Sequence, residues 1–173
     1  MLKDDRNIVL IGMPGSGKTT IGCILAQRLG RNLIDMDEYI ERQQGCTINQ
    51  LFLQGERHFR RLEAETAQKL ESVKASVITT GGGIVKNAAN MESLRKNGII
   101  IFLDRSIEDI ASDVDTSTRP LLAEGTAQLA KLYAERYDLY RKYSDYTVKN
   151  NGEIAGVVEN IIRIVDKDTI GGC

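Results

Sequence analysis

A chain of 173 residues, 42% hydrophobic and 27% charged, has the size of about one domain and can bury a core without disulfide or metal staples. Its 23 Lys and Arg against 24 Asp and Glu give a formal net charge of −1, which argues against duplex nucleic acid or an anionic membrane surface as a partner. Cys23, Cys46 and Cys173 are widely spaced, with no CxxC or Cys/His cluster, so a disulfide framework or zinc site is not expected and a reducing compartment fits. The first six residues have no apolar signal region and no window nears the roughly 18 apolar residues of a membrane span, so a cytoplasmic protein is expected.

In chain order, residues 7–11 (NIVLI) read as a buried parallel strand ending at Gly12. Residues 18–29 carry Ile21, Ile24, Leu25 and Leu29 at helical spacing, with Gly30 as C-cap. A strand is expected over 32–36 and a short helix over 37–44, stopped by Gly45. Thr47 and Gln50 have capping-box spacing for a helix running towards Gln54. A longer helix follows over 56–72, with Phe59, Leu62, Ala67 and Leu70 facing the core.

Residues 76–79 (SVIT) form a strand that runs into Gly81, Gly82 and Gly83. A helix over 87–97 precedes the clearest buried strand, 98–103 (GIIIFL), and Ser106 caps the next short helix. Residues 113–124 lack a period and read as a mobile loop. A helix over 127–143 bears Leu129, Leu132, Tyr133 and Tyr140 on its apolar stripe. A last strand at 146–148, a last helix at 154–165 and a frayed polar tail at 166–173 complete the chain. Strands alternating with helices predict an α/β fold: a five-stranded parallel sheet with helices on both faces. Ligands in such folds sit outside the carboxyl ends of the strands.

Gly12-Met13-Pro14-Gly15-Ser16-Gly17-Lys18-Thr19 fits G-x-x-x-x-G-K-[ST], between a predicted strand and a predicted helix as the motif requires. Glycines let the backbone turn its N–H groups inward on phosphate oxygens, and the following helix N-terminus adds favourable dipole charge. Lys18 would neutralise the β- and γ-phosphates, and the Thr19 hydroxyl would ligate Mg²⁺.

Asp35 and Asp37, at i and i+2 of the second strand, are expected to share one face, where they would hold Mg²⁺ through water and bind an acceptor hydroxyl. The alternative is a pair of solvated acids opening a helix. Glu56, Arg60 and Glu63 share a helix face, and from spacing alone they read as a surface salt-bridge row. Gly81, Gly82 and Gly83 suit either close backbone approach to a ligand or a flexible turn. Arg119 would close over a transferring phosphoryl group or stand as a solvated loop cation, and Arg136 is equally open. His58, the only histidine, reads as structural, and Tyr133 and Tyr140 read as core.

The order and spacing of these motifs resemble the shikimate kinase family, over nearly the whole chain from about Ile8 to Val165. The matching stretches are GMPGSGKTT at 12–20, Asp35-Met36-Asp37, GE followed by FRRLE at 55–63, TTGGG at 79–83, RPLL at 119–122, and ER followed by LY at 135–140. The resemblance implies a P-loop kinase with a mobile lid that transfers the γ-phosphoryl group of ATP to the 3-hydroxyl of shikimate, with Mg²⁺, in chorismate and aromatic amino-acid biosynthesis. It implies one kinase domain over 1–173, with a substrate-binding helical insert at about 37–72, a lid at about 113–124 and a flexible tail at 166–173.

It also implies roles. Gly15, Ser16, Gly17, Lys18, Thr19, Thr20 and Arg119 look like the nucleotide-binding set, and Thr19 and, through water, Asp35 look like the metal site. Lys18, Asp37 and Arg119 look catalytic, with Asp37 holding the acceptor hydroxyl. Arg60 and Arg136 look like the pair that binds the shikimate carboxylate, as planar forks suited to it, with Gly81, Gly82 and Gly83 as a backbone wall.

Two departures stand out. Residues 107–118 lack the basic residue that family lids often pack on adenine, so no adenine contact is assigned, and Asp138 stands where the family often has Pro. A gluconate or nucleoside-monophosphate kinase is the alternative enzyme, and a non-catalytic nucleotide-binding module the alternative class. Asp37, Arg60 and Arg136 favour a hydroxylated acid, and a small self-contained domain is expected to be a monomer.

Overall fold

The computed structural model describes residues 4–113 and 125–171. Its elements run β1 (Asn7–Ile11), α1 (Lys18–Leu29), β2 (Asn32–Asp35), α2 (Met36–Gln44), α3 (Ile48–Leu53), α4 (Glu56–Lys69), β3 (Ser76–Thr79), α5 (Ala88–Arg95), β4 (Gly98–Asp104), α6 (Ile107–Asp113), α7 (Thr126–Tyr143), β5 (Tyr146–Lys149) and α8 (Ile154–Gly171). Short 3-10 turns lie at Leu70–Ser72 and Ile84–Lys86.

The five strands are all parallel, in the order β2-β3-β1-β4-β5. The central strands are covered on both faces because their side chains alternate. Ile8 and Leu10 of β1 and Ile99, Ile101 and Leu103 of β4 point to the face closed by α1 and α8, where Ile21, Leu25, Val158 and Ile161 meet them. Val9 and Ile11, with Ile78, Ile100 and Phe102, point to the opposite face, closed by Ala67, Met91, Leu94, Leu132 and Tyr140. Each such buried Ile or Leu contributes about 1.5–3 kcal/mol relative to exposure. A smaller cluster of Ile40, Leu51, Phe59 and Leu62 holds α2, α3 and α4 together beyond the end of β2.

Local signals explain where elements stop and start. Gly30 takes the left-handed conformation (φ 61°) and its N–H returns to the last turn of α1. The capping box is complete: Gln50 N donates to Thr47 Oγ1 at 3.2 Å, and Thr47 N donates to Gln50 Oε1 at 2.8 Å. Ser106 caps α6 by accepting from Asp109 N at 3.1 Å. Asp138 lies within an unbroken α7.

Two expectations need correction. Asp35 and Asp37 do not share a strand face: β2 ends at Asp35, whose side chain caps α2 by accepting from Glu38 N at 3.1 Å, and Asp37 sits in the first helical turn. The last helix does not stop at Val165 but continues to Gly171. Its final turn is anchored by polar partners: Asp168 pairs with Arg6 at 2.8 Å and with the Tyr146 hydroxyl, and Thr169 Oγ1 donates to Asp4 Oδ2 at 2.9 Å. The expected lid lies outside the described residues from 114 onward, Arg119 included.

Candidate active site

The carboxyl ends of β1, β2 and β3 open on a cavity of about 680 Å³. The 12–19 loop forms one end. Gly15 and Gly17 adopt positive φ (82° and 93°), and a Cβ on Gly12 (φ 152°) would fall 2.7 Å from the Leu103 carbonyl. Side chains are thus barred where the loop folds closest to β4. Lys18 Nζ lies within the loop, donating to the Gly12 and Met13 carbonyls at 2.8 Å each. Ser16 is buried behind the loop with its amide on the Met13 carbonyl at 3.0 Å, whereas Gly15, Gly17, Lys18, Thr19 and Thr20 line the cavity.

Two residues not singled out from the sequence hold this loop from behind. Asn150, at the carboxyl end of β5, donates from Nδ2 to the Ser16 carbonyl at 2.8 Å. Arg105, just past β4, donates from Nη1 to the Gly15 carbonyl at 3.0 Å and pairs with Asp113 through Nη2. The available signal was a polar residue just after a strand, at the sheet edge where ligands bind.

Asp35 ties three elements together. Its Oδ2 accepts from Thr19 Oγ1 at 3.1 Å and from Thr79 Oγ1 at 2.9 Å, joining α1, β2 and β3. Oxygen donors of this kind suit Mg²⁺, which keeps much of its water and takes few protein ligands. Among the described residues no cluster of three or more His, Cys, Asp or Glu is placed to hold a metal, so a metal here would rely on phosphate oxygens and water beside Thr19 and Asp35.

Asp37 projects beside Gly81, where an added Cβ would lie 3.0 Å from its Oδ1. Burial, with Asp35 and Glu63 nearby, pushes its carboxyl up to about 6. Glu63 is buried too. Its Oε2 accepts from Arg60 Nη1 at 2.9 Å, while Oε1 is buried with no hydrogen-bond partner. Burial raises its carboxyl as well, against the pull of Arg60. The helix-face row is therefore half right: Arg60 bonds Glu56 Oε1 from Nε and Nη2 at 3.3 Å each, but Glu63 faces inward.

The opposite wall is backbone. A Cβ on Gly83 would fall 2.3 Å from Arg60 Nη2, so the guanidinium packs directly against this backbone, with Phe59 5.3 Å from its Cζ on another side. A Cβ on Gly82 would strike Pro14 Cδ at 2.7 Å. Tyr140, fully buried and stacked on Phe102, donates its hydroxyl to the Gly82 carbonyl at 2.5 Å, and burial pushes its phenol up to about 12. Arg136 from α7 is 5% exposed, yet its Nε has no hydrogen-bond partner and Glu135 Oε1 stands 3.9 Å away. A buried guanidinium left this way is a ready receptor for an anion.

One cavity therefore gathers the phosphate loop, Asp35, Asp37, Arg60, Gly81, Gly82, Gly83 and Arg136. His58 is apart from it, with Nδ1 3.3 Å from Arg61 Nη2.

The chain is similar to known proteins over nearly its whole length. The family model described as shikimate kinase matches residues 14–166. A shikimate kinase of Clostridium botulinum (strain Alaska E43) is 47% identical over 160 residues, covering 92% of this chain and 97% of that protein. One from Clostridium beijerinckii is 44% identical over 160 residues, covering 92% and 95%. Among solved structures, shikimate kinase from Acinetobacter baumannii in complex with shikimate superposes with a TM-score of 0.88 at 36% identity, covering 94% of each chain. The chain belongs to the shikimate kinase family.

Proposed function

We propose that this chain transfers the γ-phosphoryl group of ATP to the 3-hydroxyl of shikimate, giving shikimate 3-phosphate and ADP. The observation that carries the reading is the sharing of one cavity by two guanidiniums, the half-buried Asp37 carboxylate and a phosphate loop. Arg136, with its unpartnered Nε, and Arg60 take the substrate carboxylate. Asp37 takes the acceptor hydroxyl. The hydroxyl oxygen attacks the γ-phosphorus, the bond from that phosphorus to the β–γ bridging oxygen breaks, and the hydroxyl proton passes to the Asp37 carboxylate.

Lys18 exchanges its loop carbonyls for phosphate oxygens, and the amides of the 15–20 stretch cradle them. Thr19 and, through water, Asp35 would hold Mg²⁺, which would supply charge neutralisation on the phosphates when bound. Arg119, from the 113–124 lid, completes the phosphate contacts, and the helical insert at about 37–72 shapes the acceptor side. No helix among the described residues is long and apolar enough to cross a membrane, and we read the protein as a cytoplasmic monomer that takes no nucleic acid.

The test is ADP release from ATP and Mg²⁺ with a panel of acceptors: shikimate, gluconate and nucleoside monophosphates. Release stimulated by shikimate alone is expected. No release above background ATPase from folded protein rejects the assignment, and stimulation by gluconate instead would reassign the acceptor.

A further inference from the structure

Lys86 closes the 3-10 turn that follows Gly83, and its side chain does not line the cavity. Its Nζ stands 3.1 Å from Glu56 Oε1 at the start of α4 and 3.7 Å from Glu135 Oε1 on α7. Each of those carboxylates touches one of the two cavity guanidiniums. Glu56 Oε1 accepts from Arg60 Nε and Nη2, and Glu135 Oε1 lies 3.9 Å from Arg136 Nε. The five side chains form an alternating row: Arg60, Glu56, Lys86, Glu135, Arg136.

An arginine has five N–H donors. Arg60 already directs Nε and Nη2 to Glu56 and Nη1 to Glu63. What remains for an incoming carboxylate depends on how strongly Glu56 holds Arg60 and on how strongly Glu135, 3.9 Å away, draws Arg136. An ammonium between those acids shares their charge. Without it the acids have, among the described residues, only the guanidiniums as near counter-ions, and the row drops by one positive charge where an anion must bind. The bond from Lys86 is also the largest influence holding the Glu56 carboxyl below its ordinary range.

We propose that Lys86 is a positioning residue for acid recognition, engaging Glu56 and Glu135 so that Arg60 and Arg136 keep donors turned to the substrate carboxylate. The proposal rests on the acceptor being shikimate or a similar acid. Lys86 and its two acids are partly exposed, so the pairs contribute little to folding. The effect belongs to binding.

The experiment compares the wild type with Lys86→Met, Lys86→Arg, the double variant Glu56→Gln/Glu135→Gln, and the triple variant that adds Lys86→Met. Lys86→Met is expected to raise the shikimate KM by about fivefold or more, to leave the ATP KM within about twofold, and to leave the melting temperature nearly unchanged. Lys86→Arg is expected to restore the wild-type shikimate KM. In the double-variant background, Lys86→Met is expected to have no further effect, because the acids it engages are gone. An unchanged shikimate KM in Lys86→Met, an equal rise in both KM values, or the same rise in the double-variant background overturns the role. Failure of the wild type to phosphorylate shikimate overturns the underlying reading as well, which separates the two failures.

Discussion

Asn150 Nδ2 donates to the Ser16 carbonyl across 134 residues of sequence, and the same nitrogen lies 2.9 Å from where a Cβ on Gly17 would be. The bond fixes the Ser16 carbonyl, and the planar trans peptide thereby fixes the Gly17 N–H on the opposite side from Asn150. Asn150→Ala is expected to raise the ATP KM about fivefold to tenfold while leaving the shikimate KM within about twofold. Asn150→Asp should be worse, because it sets a carboxylate against a carbonyl with no donor between them. Initial-rate kinetics with each substrate varied, and ADP titration calorimetry, decide it. Equal effects on both substrates would show Asn150 to be general scaffolding.

On the proposed reading, Asp37 couples chemistry to stability through one half-buried carboxyl. Its value, raised to about 6, means that the folded protein holds the proton more tightly than the unfolded chain does. Stability therefore falls as pH rises from the ordinary carboxylate value to about 6, and stays lower above it. Asp37→Asn is expected to raise the melting temperature by several degrees at pH 8, on the order of 2 kcal/mol, and to lose that advantage near pH 4. The same change should lower kcat about a hundredfold or more. In the wild type, kcat/KM for shikimate should decline below about pH 6 as the base is protonated. A flat profile between pH 5 and 7 would remove Asp37 as the base.

Arg136→Ala is expected to raise the shikimate KM at least about tenfold and the ATP KM little, since on the proposed reading the guanidinium takes the substrate carboxylate. Arg136→Lys should recover only part of the loss, because a point charge does not replace a planar fork. Because α7 buries this side chain, thermal melting of both variants must accompany the kinetics. Equal KM changes for the two substrates in folded protein would place Arg136 outside acid binding.

Much of this site was readable because its parts are short and contiguous. The phosphate loop, the Thr47–Gln50 capping box and the glycines after β3 each declare themselves within a few residues. Asp35 and Asp37 both line the cavity, but not by alternation along a strand: capping by Asp35 starts the helix at Met36. Arg60 illustrates a different limit. Spacing gave its helix partners, while the inward turn of Glu63 and the close fit on Gly83 come from packing against β3 and its following turn. Asn150 and Arg105 show in the sequence only as polar residues after strands and Lys86 not at all, because each acts on a residue brought near only by the parallel sheet or by the packing of helices around it. The final turn of α8 was missed likewise, since its polar residues look solvated until Asp4, Arg6 and Tyr146 arrive beside them.

That last turn has a practical consequence. Asp4 and Thr169 are hydrogen-bonded at 2.9 Å, and both stand near the amino ends of the strands, where Arg31 also reaches back to the Asp4 carbonyl at 2.8 Å. The cavity opens at the carboxyl ends, on the far edge of the sheet. Affinity handles, fluorophores or tethers to a surface can therefore be attached near either residue without obstructing substrate entry. A short linker joining the two positions would make the fold a natural subject for circular permutation.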